Sequence, residues 1–407
     1  MAMPGCPVRR LDPFSAAFTA NPYETFDRVR EAGPVIYDDD LDMFVVSRHS
    51  DIDQILTDPG TFSSANVVRP VCPVGPQAQE ILANLHLDPV LANSDPPRHL
   101  RMRRITARML TPRRMAMLDE EIRGRAGLLV TRLVAEPVAD FAAEVAFPLP
   151  AYTGLMLLGY PKEDFEQLKQ WSRNRVQLNW GSADPQLQAE IAANLVAHWE
   201  YIARLVEQRS ADPRGDMISE LIRAHQDDPE NLSRNEVITI IFTLTTAAHE
   251  STTNAMLNAV YALLTHRDQY EKLCADPGLV PNAVEETLRY VAAVISWRRI
   301  VAHDTELAGV ALPAGAQVLM LFGAANRDPE RYQSPDSFDI TRHNAGGHLT
   351  FGRGTHYCLG ASLARVQLQV VFELLACRAP GLALAEPVEF VPNLSHRGPA
   401  RLMVRTS

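Results

Sequence analysis

The chain of 407 residues has no excess of positive charge, no apolar run of membrane length and no obvious leader. Its 39 Lys and Arg are outnumbered by 49 Asp and Glu, which gives a net charge of −10. Bulk nucleic-acid binding needs a positive surface, so this charge argues against it. Without about 18 consecutive apolar residues, no membrane span is expected. The N-terminus lacks the apolar core of a signal peptide, so we expect a cytoplasmic protein.

Cysteine is scarce, and no CxxC pair occurs. The five cysteines are scattered and odd in number: Cys6, Cys72, Cys274, Cys358 and Cys377. A disulfide framework is therefore not expected, which fits a reducing cytosol. The chain also lacks a low-complexity linker, an internal repeat or a sharp change in composition. We therefore expect residues 1–407 to form a single domain, although length alone allows two or three at roughly 150 residues each.

Helical patterns dominate what is present. A capping box at Ser233 and Glu236 starts a helix that can continue to about His266. At 1.5 Å per residue, this helix is long enough to cross the molecule, at roughly 48 Å. Strand-like segments lie at 35–37, 43–46, 295–301 and 317–322, and a long loop is expected at 60–94. The predicted fold class is mainly α with a minor β part.

The segment 351–360, which reads FGRGTHYCLG, is the sharpest chemical signal in the chain. Glycines let the backbone turn tightly and approach a flat ligand closely. Cys358 stands where a helix begins, and the amides and positive end of that helix favour a thiolate. A thiolate beside a glycine-rich loop suits a soft-ligand iron site. The alternative is a buried free thiol, which is the usual state of a lone cysteine.

This segment resembles the haem-binding signature F-G-x-G-x-H-x-C-x-G of the cytochrome P-450 superfamily, whose haem iron is held by a cysteine thiolate. The resemblance implies the family's fold, with a long central helix over a haem b. It implies that Cys358 is the axial iron ligand and that His356 meets a haem propionate. Leu359 and Gly360 would open the helix on the proximal side of the haem.

Glu286 and Arg289 form an E-x-x-R pattern on one predicted helix face, upstream of the cysteine. Surface Glu/Arg pairs are common and worth little, so the pattern alone is weak. It is nevertheless similar to the family's E-x-x-R helix, which closes a triad with a later arginine. Arg342 stands in the matching place. The implied role of the triad is structural, namely to lock the loop that carries Cys358.

Residues 95–103 read DPPRHLRMR and are similar to another family pattern, D-P-P-x-H-x-R-x-R. His99 and Arg103 can share one helix face and bind an anionic haem propionate. The alternative is a solvated basic face. Arg299 is a further candidate for a propionate; strand alternation sends it and Arg298 to opposite sides, one inward and one outward.

On the long helix, residues 247–253 read AAHESTT and resemble the family's A/G-G-x-D/E-T-T motif, placed over the haem beside Ala247. The resemblance implies that Glu250 and Ser251 relay protons to bound oxygen. Serine keeps the donor hydroxyl but lacks the methyl that stiffens threonine, and Ala248 stands where glycine is common. The alternative is that these hydroxyls only bond back to helix carbonyls.

Further positions match those that line the family's substrate pocket: Thr243, Thr246, Ala247, Ile295, Trp297 and Leu394. Threonine hydroxyls beside apolar side chains suggest a substrate with polar groups, such as a tailored natural product. The family default is a monomer.

No flavin or iron–sulfur module is recognisable in the chain, so electrons are expected from a separate ferredoxin and ferredoxin reductase. Seven arginines lie between Arg98 and Arg114, with no acidic residue from Pro96 to Leu118. We interpret this helix as part of a docking patch for an acidic ferredoxin. A helix directed partly to the propionates and partly to solvent is the alternative.

The expected activity is that of a haem-thiolate monooxygenase, which uses O2 to oxidise a small organic substrate. A second hypothesis keeps the fold but replaces oxygen insertion by oxidative coupling, ring formation or peroxide-driven oxidation, because Ala248 and Ser251 depart from the usual motif. A third hypothesis is a haem-based sensor or electron carrier, against which the acid–alcohol pair and the long pocket loop argue.

Overall fold

The computed structural model describes residues 11–110, 112–172 and 175–406. Cys6 lies outside the described residues. The helices are α1 (Ala16–Ala20), α2 (Tyr23–Ala32), α3 (His49–Thr57), α4 (Pro76–Leu82), α5 (Arg98–Ala107), α6 (Pro112–Ala135), α7 (Pro148–Leu158), α8 (Phe165–Ser172), α9 (Arg175–Trp180), α10 (Pro185–Ala211), α11 (Met217–Asp227), α12 (Arg234–Thr265), α13 (Arg267–Ala275), α14 (Val280–Tyr290), α15 (Phe322–Ala325) and α16 (Ala361–Arg378). None of them combines the length and apolarity that a membrane crossing requires within the described part of the chain.

The strands are short and form a minor part of the fold, as β1 (Val35–Asp38), β2 (Met43–Val46), β3 (Phe62–Ser63), β4 (Val138–Asp140), β5 (Trp297–Val301), β6 (Thr305–Leu307), β7 (Val310–Leu312), β8 (Gln317–Met320), β9 (Ala383–Leu384) and β10 (Met403–Arg405). The largest sheet has the order β1-β2-β8-β5-β3, with β2 and β8 parallel and the other neighbours antiparallel. Two smaller sheets have the orders β4-β10-β9 and β6-β7. The mainly α fold class with a minor β part is confirmed.

Helix α12 is the central element, and its beginning agrees with the sequence. Ser233 accepts a hydrogen bond from the Glu236 N–H at 3.1 Å, and Glu236 accepts one from the Ser233 N–H at 3.0 Å. This reciprocal pair satisfies two amides that no helix carbonyl can reach. The helix ends at Thr265 with His266 as its cap. Both predicted limits of the long helix are therefore confirmed.

The two halves of α12 pack in different hydrophobic clusters. Its first half, including Ile241 and Phe242, is buried together with side chains of α10 and α11. Its second half, including Met256 and Leu257, is buried with side chains of α6, α14 and α16. Because both ends are held in packed cores, the middle of the helix has a fixed position beside the cavity described below.

The prediction of a long loop at 60–94 is wrong in part. This segment contains β3, α4 and a short 3₁₀ turn at Leu91–Asn93. Pro76 occupies the first turn of α4, where its missing N–H costs nothing. The apolar periodicity of such short elements is too brief to reveal them, since α4 spans seven residues.

Candidate active site

A cavity of about 410 Å³ lies between the middle of α12, helices α5 and α9, strand β5 and the 351–360 segment. Most of its wall is apolar, with contributions such as Leu244, Val294 and Phe322. Cys358 lies in this wall together with His99, Arg103, Arg299 and His356. Residues from five separate parts of the chain therefore meet at one cavity.

The glycines of the 351–360 segment set the path of the backbone before α16. Gly352 and Gly354 have φ angles of 67° and 63°, in the left-handed region that favours glycine. A Cβ at Gly354 would come within 2.7 Å of the Leu56 carbonyl oxygen. The Cys358 N–H donates to the Phe351 carbonyl oxygen at 2.9 Å, which closes the loop. The chain thereby presents the sulfur to the cavity.

Cys358 is an unpaired cysteine whose accessible surface opens into the cavity. Burial raises the pKa of its thiol, while the backbone N–H groups of Gly360 and Ala361 and the charge of Arg103 oppose that rise. The amides at the helix start therefore favour the thiolate as expected, although desolvation opposes them and is the larger effect on the pKa. Coordination to a metal ion deprotonates a thiol outright. Gly360 caps α16, and a Cβ there would meet only the Cys358 sulfur, at 3.9 Å.

The four propionate candidates form a cluster of donors. The His99 and His356 rings lie 3.9 Å apart between centroids, and a hydrogen bond of 3.1 Å joins His356 Nε2 to Ser64 Oγ. Arg103 Nη2 donates to the Tyr357 carbonyl oxygen at 2.6 Å, and Arg299 Nη1 donates to the Arg298 carbonyl oxygen at 2.8 Å. Two of these three hydrogen bonds tie the cluster to the cysteine segment and to β5.

The electrostatics of this cluster fit an anionic ligand. Burial, together with the charges of nearby arginines, lowers the pKa of His99 to about 4 and that of His356 to about 3. Burial also lowers the pKa of Arg299 to about 10, so its guanidinium remains charged at neutral pH. The Nδ1 atom of His99 is buried without a hydrogen-bond partner. A donor left unpaired beside two arginines suits carboxylates such as those of haem.

Strand alternation was right about Arg299 but wrong about its neighbour. Arg299 and Trp297, two residues apart on β5, both line the cavity. Arg298 points to the other side of the sheet, yet it is buried rather than solvent-facing. Its guanidinium lies 4.2 Å from the centroid of the Trp180 ring and bonds to the Arg69 carbonyl oxygen. The tertiary structure supplies an inner environment on both faces of this strand.

Glu286, Arg289 and Arg342 meet in a buried triad. Arg289 donates to both carboxylate oxygens of Glu286, at 2.7 and 2.8 Å, and Arg342 Nε donates to the same group at 3.1 Å. Arg289 also donates to the carbonyl oxygens of Asn326, Pro335 and Ser337. The triad therefore binds the backbone that leads from α15 toward the cysteine segment.

Two further links connect α14 with the cysteine segment. Asn326 Nδ2 donates to Thr350 Oγ1 at 2.9 Å, and Thr350 Oγ1 donates to the Leu288 carbonyl oxygen at 2.7 Å. Glu285 accepts two hydrogen bonds from Arg365 of α16, at 2.6 and 3.0 Å. The implied structural role of the triad thus has a direct physical route, through hydrogen bonds on both sides of Cys358.

On α12, the acid and the alcohol are both in the cavity wall. Ser251 Oγ donates to the Ala247 carbonyl oxygen at 3.0 Å, and Thr246 Oγ1 donates to the Thr243 carbonyl oxygen at 3.0 Å. Both hydroxyls therefore bond back to their own helix, as in the alternative interpretation. Glu250 accepts a hydrogen bond from the Val176 N–H at 3.4 Å.

Ala248 has a packing partner that the motif does not reveal. A Cβ on Gly154 of α7 would come within 2.8 Å of the Ala248 Cβ. The glycine expected on α12 is therefore replaced by a glycine on the facing helix, which keeps the two backbones close. Pairs of this kind leave no local signal, because residues 154 and 248 are distant in the sequence.

The substrate positions expected from the sequence divide into two groups. Four of them line the cavity, namely Thr243, Thr246, Ala247 and Trp297. Ile295 and Leu394 do not, since both are 1 % exposed and packed in a core cluster with Trp180. Val294, one residue before Ile295, and His396, two residues after Leu394, line the cavity instead. Successive residues of extended chain point to opposite sides, so at Ile295 a shift of one position reverses the assignment.

Sequence reasoning missed three polar residues of the cavity wall: Arg175, Asn179 and His396. No motif or spacing marks them, and only the packing of α9 against the C-terminal turn brings them together. Asn393 Nδ2 donates to the Val176 carbonyl oxygen at 3.2 Å, and the Leu394 N–H donates to the Trp180 carbonyl oxygen at 2.9 Å.

The arginines of helix α5 and of the residues that follow it form more ion pairs within the protein than the sequence indicates. Arg98 and Arg101 each donate to Glu236 at 2.8 Å, and Arg114 donates to Glu220 at 2.7 Å. Arg103 faces the cavity, whereas Arg104 and Arg108 are exposed and have no ion pair with any described residue. The Arg113 side chain lies outside the described residues. Glu236 of α12 pairs with two arginines of α5, and Glu220 of α11 pairs with Arg114 of α6, so these ion pairs were not visible locally.

A family model and several known proteins match this chain in sequence. The family model described as cytochrome P-450 matches residues 278–376, which include the triad helix and Cys358. The chain is 35% identical over 410 residues to the cytochrome P-450 monooxygenase PikC of Streptomyces venezuelae, covering 98% of this chain and 94% of PikC. It is 33% identical to the vitamin D(3) 25-hydroxylase of Pseudonocardia autotrophica, covering 95% and 93% of the two chains.

A solved structure agrees with these relatives. Cytochrome P-450 CREJ in complex with (4-ethylphenyl) dihydrogen phosphate superposes with a TM-score of 0.93 at 34% identity, over 98% of this chain and 100% of the other. The expected cytochrome P-450 fold and haem b cofactor are thereby confirmed. Identity and coverage of this extent establish more than a shared fold, so the chain belongs to the cytochrome P-450 family of haem-thiolate monooxygenases.

Proposed function

We propose that residues 1–407 form one haem domain, in which Cys358 is the iron ligand and the donor cluster binds the haem propionates. This proposal rests mainly on the observation that one cavity is lined by Cys358, His99, Arg103, Arg299 and His356. The unpartnered Nδ1 of His99 supports an anionic group at that end. Haem bound there supplies the chemistry by which O2 is activated for substrate oxidation.

The protein's own residues position this chemistry. The Glu286 triad and Thr350 hold the cysteine segment, and Gly354 lets it pass close to the Leu56 backbone. On α12, the Glu250 carboxylate can accept a proton and the Ser251 hydroxyl can donate one from Oγ. For Ser251 to donate toward the cavity, its hydroxyl must leave the Ala247 carbonyl oxygen, so we expect a rotation of that hydroxyl during turnover.

The substrate is a small organic molecule with a largely apolar body, because the cavity wall is largely apolar. Relatives named vitamin D(3) 25-hydroxylase and, in Saccharopolyspora erythraea, 6-deoxyerythronolide B hydroxylase support a natural product or its precursor. Electrons come from a separate reductase and ferredoxin, and the exposed Arg104 and Arg108 support docking of an acidic partner. We propose a monomer that acts in the cytoplasm, consistent with four unpaired cysteines among the described residues.

The optical spectrum of the reduced, carbon monoxide-treated protein tests the haem assignment. Wild type should show the strongly red-shifted Soret band of thiolate ligation, and Cys358→Ser should lose that band. Cys377→Ser, which changes an exposed cysteine outside the cavity wall, serves as the matched control and should keep it. A red-shifted band that survives in Cys358→Ser, or a wild-type band typical of histidine ligation, would overturn the assignment.

One observation favours a second activity in the same site. The Ser251 hydroxyl is bonded to its own helix, and coupling or peroxide-driven reactions depend less on a proton relay. Turnover under isotopically labelled O2 separates the two. Label in the product at one atom per molecule supports monooxygenation, whereas unlabelled product supports coupling or ring formation.

A further inference from the structure

One charged side chain in the cavity wall, that of Arg175, has no role assigned to it so far. Arg175 opens α9 and lines the cavity. Its Nη1 donates to Thr246 Oγ1 at 2.6 Å, and its guanidinium carbon lies 4.9 Å from the centroid of the Phe242 ring. Arg175 forms no ion pair with any residue that the structure describes. Its one hydrogen-bond partner there is a neutral hydroxyl.

This environment leaves the charge of Arg175 incompletely compensated. Burial lowers the pKa of the guanidinium to about 10, so it stays protonated at neutral pH. The charge of Glu250 opposes that shift, but no Glu250 oxygen is within ion-pair distance of the guanidinium, since no bridge of 4.0 Å or less joins them. Holding a cation in a mainly apolar cavity is unfavourable unless an anion accompanies it.

His396, in the same wall, carries a ring nitrogen that makes no hydrogen bond with any described residue. The Nδ1 atom of His396 is buried without a hydrogen-bond partner, and His396 also lines the cavity. Burial lowers the pKa of His396 to about 4, so its ring is neutral and offers one N–H donor. The turn that carries His396 is hydrogen-bonded to α9 through Asn393 and Leu394, so the two groups lie on segments that are joined directly.

We propose that Arg175 and His396 form a subsite for an anionic oxygen group of the substrate, a carboxylate or a phosphate monoester. The inference rests on the proposed function, because it specifies the substrate class of the same cavity. A guanidinium presents its N–H groups in a planar fork that matches such groups. Thr246 holds Arg175 against α12. The apolar body of the substrate then occupies the remaining cavity.

Binding of three matched probes to the haem-loaded protein tests this subsite. The probes are 4-butylbenzoate, 4-butylphenyl phosphate and the uncharged 4-butylbenzamide, titrated at pH 7.5 by calorimetry and by the Soret shift. We expect wild type to prefer at least one anion over the amide by about 10–100-fold, the range for a charge-assisted pair. The anion that binds more tightly identifies the substrate group as a carboxylate or as a phosphate monoester.

Arg175→Gln removes the charge and keeps much of the side-chain length, so it should abolish the preference. Arg175→Lys keeps a charge without the fork and should retain part of it. Arg204→Gln is the control, because Arg204 lies 62% exposed on α10, outside the cavity wall. Should Arg175→Gln not fold, Thr246→Val tests the same orientation of the guanidinium and should weaken the preference.

Two results would overturn the proposal: no anion preference in wild type, or a preference that survives in Arg175→Gln. Haem content and the reduced carbon monoxide spectrum are recorded for every variant before titration. Failure of the haem assignment appears in those spectra, whereas failure of the subsite appears in calorimetry of protein with a normal spectrum. The two failures are therefore distinguishable.

Discussion

At the scale of single residues, the site depends on groups whose ordinary preferences are overruled by their surroundings. Burial raises the pKa of Cys358 although the helix start favours its thiolate. Burial also keeps His99 and His356 neutral at physiological pH, so their rings can lie close together without repulsion. The hydroxyl of Ser251 is held by the Ala247 carbonyl oxygen rather than pointing free into the cavity.

The Ser251 hydroxyl gives the first prediction. Ser251→Ala removes the proton at Oγ while leaving the helix backbone in place, so product formed per O2 consumed should fall by about 100-fold, typical of a lost proton-transfer group. Ser251→Thr restores the hydroxyl and should retain most of the coupling. Product and O2 are measured in the same reaction with a surrogate ferredoxin. Equal coupling in Ser251→Ala and wild type would show that this hydroxyl is not used.

The second prediction concerns Gly354. Gly354→Ala places a Cβ within 2.7 Å of the Leu56 carbonyl oxygen at a φ of 63°. We expect a loss of about 1–3 kcal/mol in unfolding free energy, together with weaker haem retention. Denaturant unfolding and haem content are compared with Gly124→Ala, since nothing lies within 4 Å of a Cβ at that helical position. If the two variants are equally stable, the close approach is not a constraint.

At the scale of elements, α14 is the hub that holds the cysteine segment. Its Glu286 and Arg289 side chains are 0% exposed and bind the chain between α15 and the cavity. One residue earlier, Glu285 binds His348 at 3.2 Å and Arg365 of α16 at 2.6 Å. One helix thus fixes the backbone before Cys358 and the helix after it.

The hydrogen bonds of Glu285 predict how the stability of this region depends on pH. Burial alone would raise its pKa, but hydrogen bonds from His348 and Arg365 outweigh burial and lower the pKa to about 2. A carboxyl group with a depressed folded-state pKa adds stability above its ordinary pKa of about 4.3 and loses it as pH falls toward 2. Glu285→Gln should therefore be less stable than wild type at pH 7, with a difference that shrinks below about pH 4.

Urea unfolding of wild type and Glu285→Gln between pH 7 and pH 3 measures this difference. Glu373→Gln is the control, because Glu373 pairs with Arg123 at an exposed position and is 41% exposed. Its effect should stay small at every pH. A stability difference for Glu285→Gln that does not change with pH would contradict the prediction.

At the scale of the whole molecule, charge is distributed unevenly in spite of the net charge of −10. Helix α5 carries a run of arginines, of which Arg98 and Arg101 pair with Glu236 and Arg98 also pairs with Asp88. Arg104 on α5 and Arg108 at its C-terminal cap remain exposed, and the same helix sends Arg103 to the cysteine segment. The uncompensated charge therefore lies close to the proposed iron ligand.

This arrangement predicts which charge reversal affects electron delivery. Arg104→Glu should slow ferredoxin-supported turnover by about tenfold at low salt, and less at high salt, because steering by exposed charges is screened. Peroxide-supported turnover, which needs no ferredoxin, should be unchanged. Arg204→Glu, on α10, is the matched control. An equal ferredoxin-supported rate in Arg104→Glu and wild type would exclude this patch from docking.

Much of the molecule could be predicted from local patterns. The α12 cap follows from a local pattern, whereas the triad residues, Cys358 and the donor set of His99, Arg103, Arg299 and His356 are implied by the resemblance to the family. A capping box, a helical spacing and a glycine-rich turn depend on hydrogen bonds and backbone angles of neighbouring residues. Such features are therefore determined by short stretches of chain, whatever the rest of the protein does.

Other features were decided only when distant segments packed together. Val294 rather than Ile295 lines the cavity because neighbouring elements fix which side of an extended segment faces it, whereas Leu394 packs in a core cluster and His396 reaches the cavity. Glu236 reaches Arg101 across 135 positions of sequence, and Arg175 enters the cavity wall because the C-terminal turn binds α9. The sequence by itself determined the haem-binding chemistry and the central helix. The tertiary structure determined which charges are paired, which are exposed and which face the substrate, because pairing and burial depend on residues far apart in the chain.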